Sequence, residues 1–214
     1  QSGSLKRSAV RIGVLGGTFD PPTVAHLAIA RAARQQLSLD VVLLVPTGES
    51  YTKSAQAVSP AVDRLAMTQL AAGDEPGLAV SDIDVRRAGP TYTIDTLTEL
   101  RASYPPDTEF VVIIGSDLAT QVDQWKAAGQ LAQAAAFAVA PRSGTALIAL
   151  PPGFPEPAIL RVQPSEVSAT ACRAELARGV IPRDVPAAVA HYAVEHRLYS
   201  TAVREWTHDD AEVE

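Results

Sequence analysis

Val10-Arg11-Ile12-Gly13-Val14-Leu15-Gly16-Gly17-Thr18-Phe19-Asp20-Pro21-Pro22-Thr23-Val24-Ala25-His26 is the stretch on which the reading of this chain turns. Val10–Leu15 is a short apolar run that stops at two glycines. That pattern predicts a buried strand running into a turn. Thr23–Gln36 follows, Ala-rich, with Val24, Leu27, Ala30 and Ala33 at helical spacing. The opening is therefore strand, glycine turn, helix, with Pro21 and Pro22 stiffening the chain just before the helix.

The same alternation continues outward. Strands are predicted at Val41–Val45, Leu78–Val85, Phe110–Ile114, Ala136–Ala140 and Ala158–Val162. Helices are predicted at Pro60–Ala72, Thr93–Ser103, Val122–Ala134, Thr170–Ala177 and Val185–Glu195. Strands alternating with helices build βαβ units, so the expected fold is α/β: a doubly wound, Rossmann-like parallel sheet covered on both faces. Pro151–Pro157 is the best linker candidate. The expected organisation is a single domain over residues 9–206, with a small C-terminal helical subdomain from about 163 to 206 packed on the rest. Gln1–Ser8 reads as a cloning remnant with no signal-peptide core, and residues 207–214 as an acidic tail.

Composition narrows the function classes. Of 214 residues, 47% are hydrophobic and 20% charged, which is globular. Net charge is −6 and basic blocks are lacking, so no nucleic-acid partner is expected. Apolar runs such as Ala134–Ala140 fall well short of the ~20 residues of a membrane span, so no membrane partner is expected. Cys172 is the only cysteine, which excludes an internal disulfide and suits a reducing, cytoplasmic location.

In doubly wound sheets ligands bind beyond the carboxyl ends of the strands. Three polar segments fall just there: Gly16–Asp20, Pro46–Lys53 and Gly115–Asp117. The first lacks the glycine spacing of a dinucleotide fingerprint and the Gly-Lys-Ser/Thr of a Walker loop. Its glycines let backbone N–H groups approach an anion, and Thr23 and His26 share one face of the first helical turn, at the positive end of the helix dipole. Backbone, hydroxyl and imidazole donors could then meet on a polyphosphate. Taken one at a time these residues also fit an ordinary tight turn, with Thr23 as cap and His26 partly buried, but their combination after a first strand is uncommon by chance.

The segment resembles the (H/T)-x-G-H signature of the nucleotidylyltransferase superfamily, and Val167-Ser168-Ala169-Thr170-Ala171-Cys172-Arg173 resembles its I-S-x-T-x-x-R motif. With Pro46 and Lys53, Pro90–Leu97, Ile114–Asp117 and Trp125, the chain from Val10 to about Tyr199 is similar to the bacterial nicotinate mononucleotide adenylyltransferase family. It departs from the family pattern in carrying Thr23 for the first motif histidine and Ala25 for the motif glycine. The resemblance implies that Gly16, Gly17, Thr18, Phe19, Gly115, Asp117, Arg142, Ser168, Thr170 and Arg173 bind ATP. Among these, Asp117 would hold a nucleotide ribose and Arg142 would sit beside the adenine. Lys53 would reach the mononucleotide phosphate, and Tyr92, Thr93 and Trp125 would take its pyridine ring. Each has a plainer reading: Ser168 as a helix cap with a solvated Arg173, Asp117 as an N-cap, Tyr92 and Trp125 as core aromatics, Lys53 as a surface lysine. Asp95 reads as first-turn charge, Arg64 as the partner of a local carboxylate, and Cys172 as inert packing.

The reaction implied is adenylyl transfer from ATP to nicotinate mononucleotide. The nucleophile would be a phosphate, already anionic at neutral pH, so no general base is required. Catalysis would be positioning and charge stabilisation by His26, Thr23 and Arg173. Mg²⁺ would be bound through the ATP phosphates, with no carboxylate cage expected from the protein. Family members often self-associate, which leaves a homo-oligomer open. Two other enzyme readings stay open at this point, phosphopantetheine adenylyltransferase and cytidylyltransferase, as does a non-catalytic nucleotide-binding relative.

Overall fold

Side chains alternate across each strand of the main sheet, and the alternation sorts the core into two apolar clusters. One holds Leu15, Val42, Leu44, Val111, Ile113, Ala138 and Ala140; the other holds Ile12, Val14, Leu43, Val45, Phe110, Val112, Ile114, Phe137 and Val139. Successive residues point to opposite faces, and both faces are apolar because both are covered by helices. The computed structural model describes residues 9–50, 59–142, 149–163 and 166–200.

The elements run β1 (Arg11–Gly17), α1 (Val24–Gln36), β2 (Val41–Pro46), β3 (Glu49–Ser50), α2 (Ala61–Ala72), β4 (Leu78–Val80), α3 (Ile83–Arg86), β5 (Pro90–Thr91) and α4 (Thr93–Ser103). They continue with β6 (Glu109–Gly115), α5 (Ser116–Ala119), a 3₁₀ turn (Val122–Gln124), α6 (Ala128–Ala134), β7 (Ala136–Ala140), β8 (Ala158–Ile159), α7 (Ala169–Ala177) and α8 (Ala187–Glu195). Six strands form one parallel sheet in the order β4-β2-β1-β6-β7-β8. β3 and β5 form a separate parallel pair. The doubly wound expectation holds. The order reverses between β1 and β6, so the crevice at a topological switch point lies beyond Gly17 and Gly115.

On the first face α1 supplies Leu27, Ala30 and Ala33, and α2 supplies Met67, Ala71 and Ala72. Cys172 and Leu176 of α7 and Val189, Ala190 and Ala193 of α8 join the same cluster. The C-terminal helices thus pack on the main core through side chains shared with it. The opposite face is covered by Ile94, Leu97 and Leu100 of α4, Ala119 of α5 and Leu131 of α6. No helix among the described residues is long and apolar enough to cross a membrane.

Two expectations need correction. The strand expected over Leu78–Val85 ends at Val80, and Ile83–Arg86 is a helical turn. An apolar pair split by Asp84 suits either period over so short a run. The helix expected over Val122–Ala134 is broken, because Ala127 adopts a left-handed conformation (φ 53°) ahead of α6. That break sets Trp125 and Lys126 outside any helix.

Ile113 is 1% exposed on the central strand β6. Ile113→Ala should cost about 2–5 kcal/mol from lost burial and the cavity left behind. Urea denaturation should show this as a lower midpoint at unchanged slope.

Candidate active site

The turn after β1 is built tightly. A side chain at Gly17 would meet the ring of Phe19 at 3.2 Å. Phe19 takes a left-handed conformation (φ 49°), and its own ring is buried. That ring packs edge-on against the imidazole of His26, with centroids 5.0 Å apart. Phe19 therefore offers a ligand only its backbone, while its side chain holds His26 in place.

Thr23 caps α1 and is 2% exposed. Its backbone N–H donates to His26 Nδ1 at 3.0 Å, and its hydroxyl lies 2.9 Å from the same nitrogen. A backbone N–H can only donate, so Nδ1 accepts and the neutral ring carries its proton on Nε2. The Thr23 hydroxyl is thereby occupied with His26. Burial lowers the pKa of His26 to about 4, and the nearby charge of Arg142 pushes the same way. At neutral pH the imidazole is an uncharged Nε2–H donor.

Below this turn lies a polar hub that sequence reasoning missed. Asp20 is buried, and its carboxylate accepts from the Tyr199 hydroxyl at 2.7 Å and the Ser59 N–H at 3.1 Å. Burial raises the pKa of Tyr199, which stays a phenol and a donor. Arg64, 1% exposed, donates to three carbonyls: Thr18 at 2.8 Å, Gly48 at 2.9 Å and Ser59 at 3.2 Å. Arg64 was expected to pair with a local carboxylate; its hydrogen bonds go to backbone instead. Desolvation lowers its pKa and the charge of Asp20 opposes that. A signal was present in the sequence: Arg64 shares a helix face with the buried Met67, Thr68 and Ala71, and an arginine at a core position needs partners there.

Arg173 reaches the same turn from α7. It donates to the Asp20 carbonyl at 2.7 Å and to the Thr170 hydroxyl at 3.0 Å. Ser168 caps α7, its hydroxyl accepting from Ala171 N–H at 3.4 Å, and Ser168 and Thr170 are exposed. Across the crevice, β6 ends at Gly115. Asp117 and Arg142 form an ion pair at 3.4 Å, and Arg142 N–H donates to the buried Ser116 hydroxyl at 2.9 Å. The effect of Arg142 on His26 places the two rims within electrostatic reach.

The third part is aromatic. Tyr92 caps α4 directly after β5, Thr93 opens the helix, and Tyr92 and Trp125 are half-buried against the second core cluster. Lys126 Nζ lies 4.7 Å from the Tyr92 ring centroid, which brings the Trp125 segment onto the start of α4. Lys53 falls outside the described residues. Among the described residues no three His, Cys, Asp or Glu side chains are grouped to hold a metal ion.

A parallel sheet with anion-directed donors at its switch point defines a nucleotide-binding α/β protein. Residues 14–175 match the family model described as cytidylyltransferase-like. A probable nicotinate-nucleotide adenylyltransferase of Herpetosiphon aurantiacus is 44% identical over 196 residues, covering 88% of this chain and 98% of the relative. One from Dehalococcoides mccartyi is 38% identical over 199 residues, covering 89% and 98%. The solved Plasmodium falciparum nicotinic acid mononucleotide adenylyltransferase complexed with NaAD shares the fold at TM-score 0.70 and 19% identity, over 89% of this chain and 97% of that one. The chain belongs to the cytidylyltransferase-like nucleotidyltransferases, within the family of nicotinate-nucleotide adenylyltransferases.

Arg64→Met should cost more than about 3 kcal/mol, because it strands three carbonyls and the Asp20 charge. Arg64→Lys should recover only part of that, and urea denaturation of the two variants measures the difference.

The His26 shift makes a second prediction. Its folded pKa of about 4 lies below the unfolded value near 6.5, so the unfolded chain takes up the proton first on acidification. The contribution of His26 is fully present above about pH 6.5 and is lost as pH falls towards 4, by up to about 3 kcal/mol. Urea midpoints at pH 7 and 4.5 should fall less for His26→Gln than for the parent chain.

Proposed function

We propose that this chain transfers the AMP part of ATP to nicotinate mononucleotide, releasing pyrophosphate and forming deamido-NAD. One observation carries the reading. At the switch point of the sheet, the turn bearing His26 is bonded through Asp20 to Arg173 from the far end of the chain. The two motif segments therefore meet as one phosphate-directed surface, in a chain whose relatives bear this reaction in their names over almost their full length.

The role of each residue follows from its chemistry. Gly16, Gly17 and Thr18 offer backbone to the triphosphate, and Phe19 buttresses His26. His26 Nε2–H donates to an oxygen near the α-phosphorus, and Thr23 keeps that tautomer by donating to Nδ1. Arg173, with Ser168 and Thr170, receives the departing pyrophosphate. Gly115 leaves room for Asp117, whose carboxylate accepts from the adenosine ribose, with Arg142 beside the base. Tyr92, Thr93 and Trp125 hold the pyridine ring, and Lys53 the mononucleotide phosphate. In the reaction the mononucleotide's 5′-phosphate oxygen bonds to the α-phosphorus, and the bond from that phosphorus to the oxygen bridging it to the β-phosphorus breaks. No proton need leave the nucleophile, so a neutral donor at His26 suits the step better than a base would. Mg²⁺ would be held by the ATP phosphates, where it would supply neutralising charge. A cytoplasmic location and self-association belong to the same reading; the buried, free Cys172 suits a reducing compartment.

A pyrophosphate-release assay with MgATP should respond to nicotinate mononucleotide far more than to phosphopantetheine, and no signal with the mononucleotide would sink the reading. His26→Ala should lower kcat by about 10²–10³-fold with a much smaller change in KM; normal turnover in the folded variant would remove His26 from the chemistry.

A further inference from the structure

The surface at the start of α4 contains a cation with no part in the scheme above. Lys126 Nζ stands 4.7 Å from the centroid of Tyr92, the capping residue, and 2.8 and 3.1 Å from the carboxylate oxygens of Asp95, the third residue of the helix. It therefore brackets Thr93 and Ile94, whose N–H groups lie ahead of the first intrahelical bonds, at Asp95 and Thr96, which both donate to the Tyr92 carbonyl. The neighbouring Trp125 packs against the core. Lys126 does not: half its side chain is exposed, and Asp95 is a third exposed. An ion pair as open as this does little to staple two segments together. A unit charge at the mouth of a binding slot, however, acts on every charged ligand that enters it.

We infer that Lys126 is a specificity-determining residue: its ammonium favours a mononucleotide whose pyridine ring carries a carboxylate over one carrying a neutral amide, and Asp95 sets how much of that charge the ring meets. The inference rests on the reading of Tyr92, Thr93 and Trp125 as the pyridine end of the site. The N–H groups at the start of α4 can bond an amide oxygen as well as a carboxylate and favour the anion only by the partial charge of the helix end, so a full unit charge adds to that preference. A full positive charge beside the ring separates the two ligands, because both carry the phosphate but only one carries a negative charge on the ring. Asp95 pulls the ammonium toward the helix and offsets it, so the two residues act on selectivity with opposite sign. A mechanical latch would behave differently, since losing either partner opens it.

The test is the binding of nicotinate and nicotinamide mononucleotides by calorimetry, with the ratio of kcat/KM for the two at saturating MgATP as a second readout. Lys126→Met should lower the preference for the nicotinate form about fivefold, and Lys126→Arg should keep it. Asp95→Asn should raise the preference a few-fold. Added salt should shrink the preference of the parent chain more than that of Lys126→Met. An unchanged ratio in Lys126→Met, or a fall in both Lys126→Met and Asp95→Asn, would overturn the inference while leaving the proposed reaction intact. A parent chain that binds neither mononucleotide would overturn the site reading, and the inference with it.

Discussion

Arg64 carries a positive charge into a place that water does not reach, and the site is assembled around the groups that satisfy it. Its guanidinium binds carbonyls from the turn after β1, from the loop after β2 and from the entry to α2. Asp20 supplies the compensating charge, and is itself held by Ser59 and by Tyr199 from the end of the described chain. Hydrogen bonds to a charged group contribute more than neutral ones, and an unmet partner costs more. The three loops consequently form one unit. Arg173 then docks on the Asp20 carbonyl, so the start of α7 takes its position from the same hub.

That rigidity bears on how the site can act. The reaction needs donors that are already aimed, because a phosphate nucleophile leaves the protein little covalent work. His26 is aimed twice, by the Thr23 N–H on Nδ1 and by the edge of the Phe19 ring. Its electrostatic setting keeps it neutral, with burial the larger cause and Arg142 the second. Thr23 takes the place of the family's first motif histidine, and its hydroxyl is turned towards His26, away from the role of an independent phosphate donor.

Much of this was legible from residue order. The apolar runs of β1, β2, β6 and β7, alternating with helical segments, announced a parallel sheet buried on both faces. Thr93–Ser103 was readable to the residue, because its apolar positions keep helical spacing. The end of the strand expected over Leu78–Val85 and the helix expected over Val122–Ala134 were misread for local reasons. Three residues are too few to show a period, and the left-handed Ala127 breaks a helix that its Ala-rich composition favours. Arg64 stood on an apolar helix face where its burial could have been suspected, but its partners lie 46 and 16 residues away.

The sequence by itself determined the layered α/β architecture and the kinship with nucleotidyltransferases, because both rest on local periodicity and on motifs of contiguous residues. Tertiary structure alone decided which groups are spent on one another and which are left for a ligand. It tied Tyr199 and Arg173 to Asp20 across 179 and 153 residues. It left Nε2 to carry the His26 proton, and it set Lys126 over the start of α4 from 31 residues beyond Asp95. Burial and charge act through space, and residue order carries no record of the distances on which they depend.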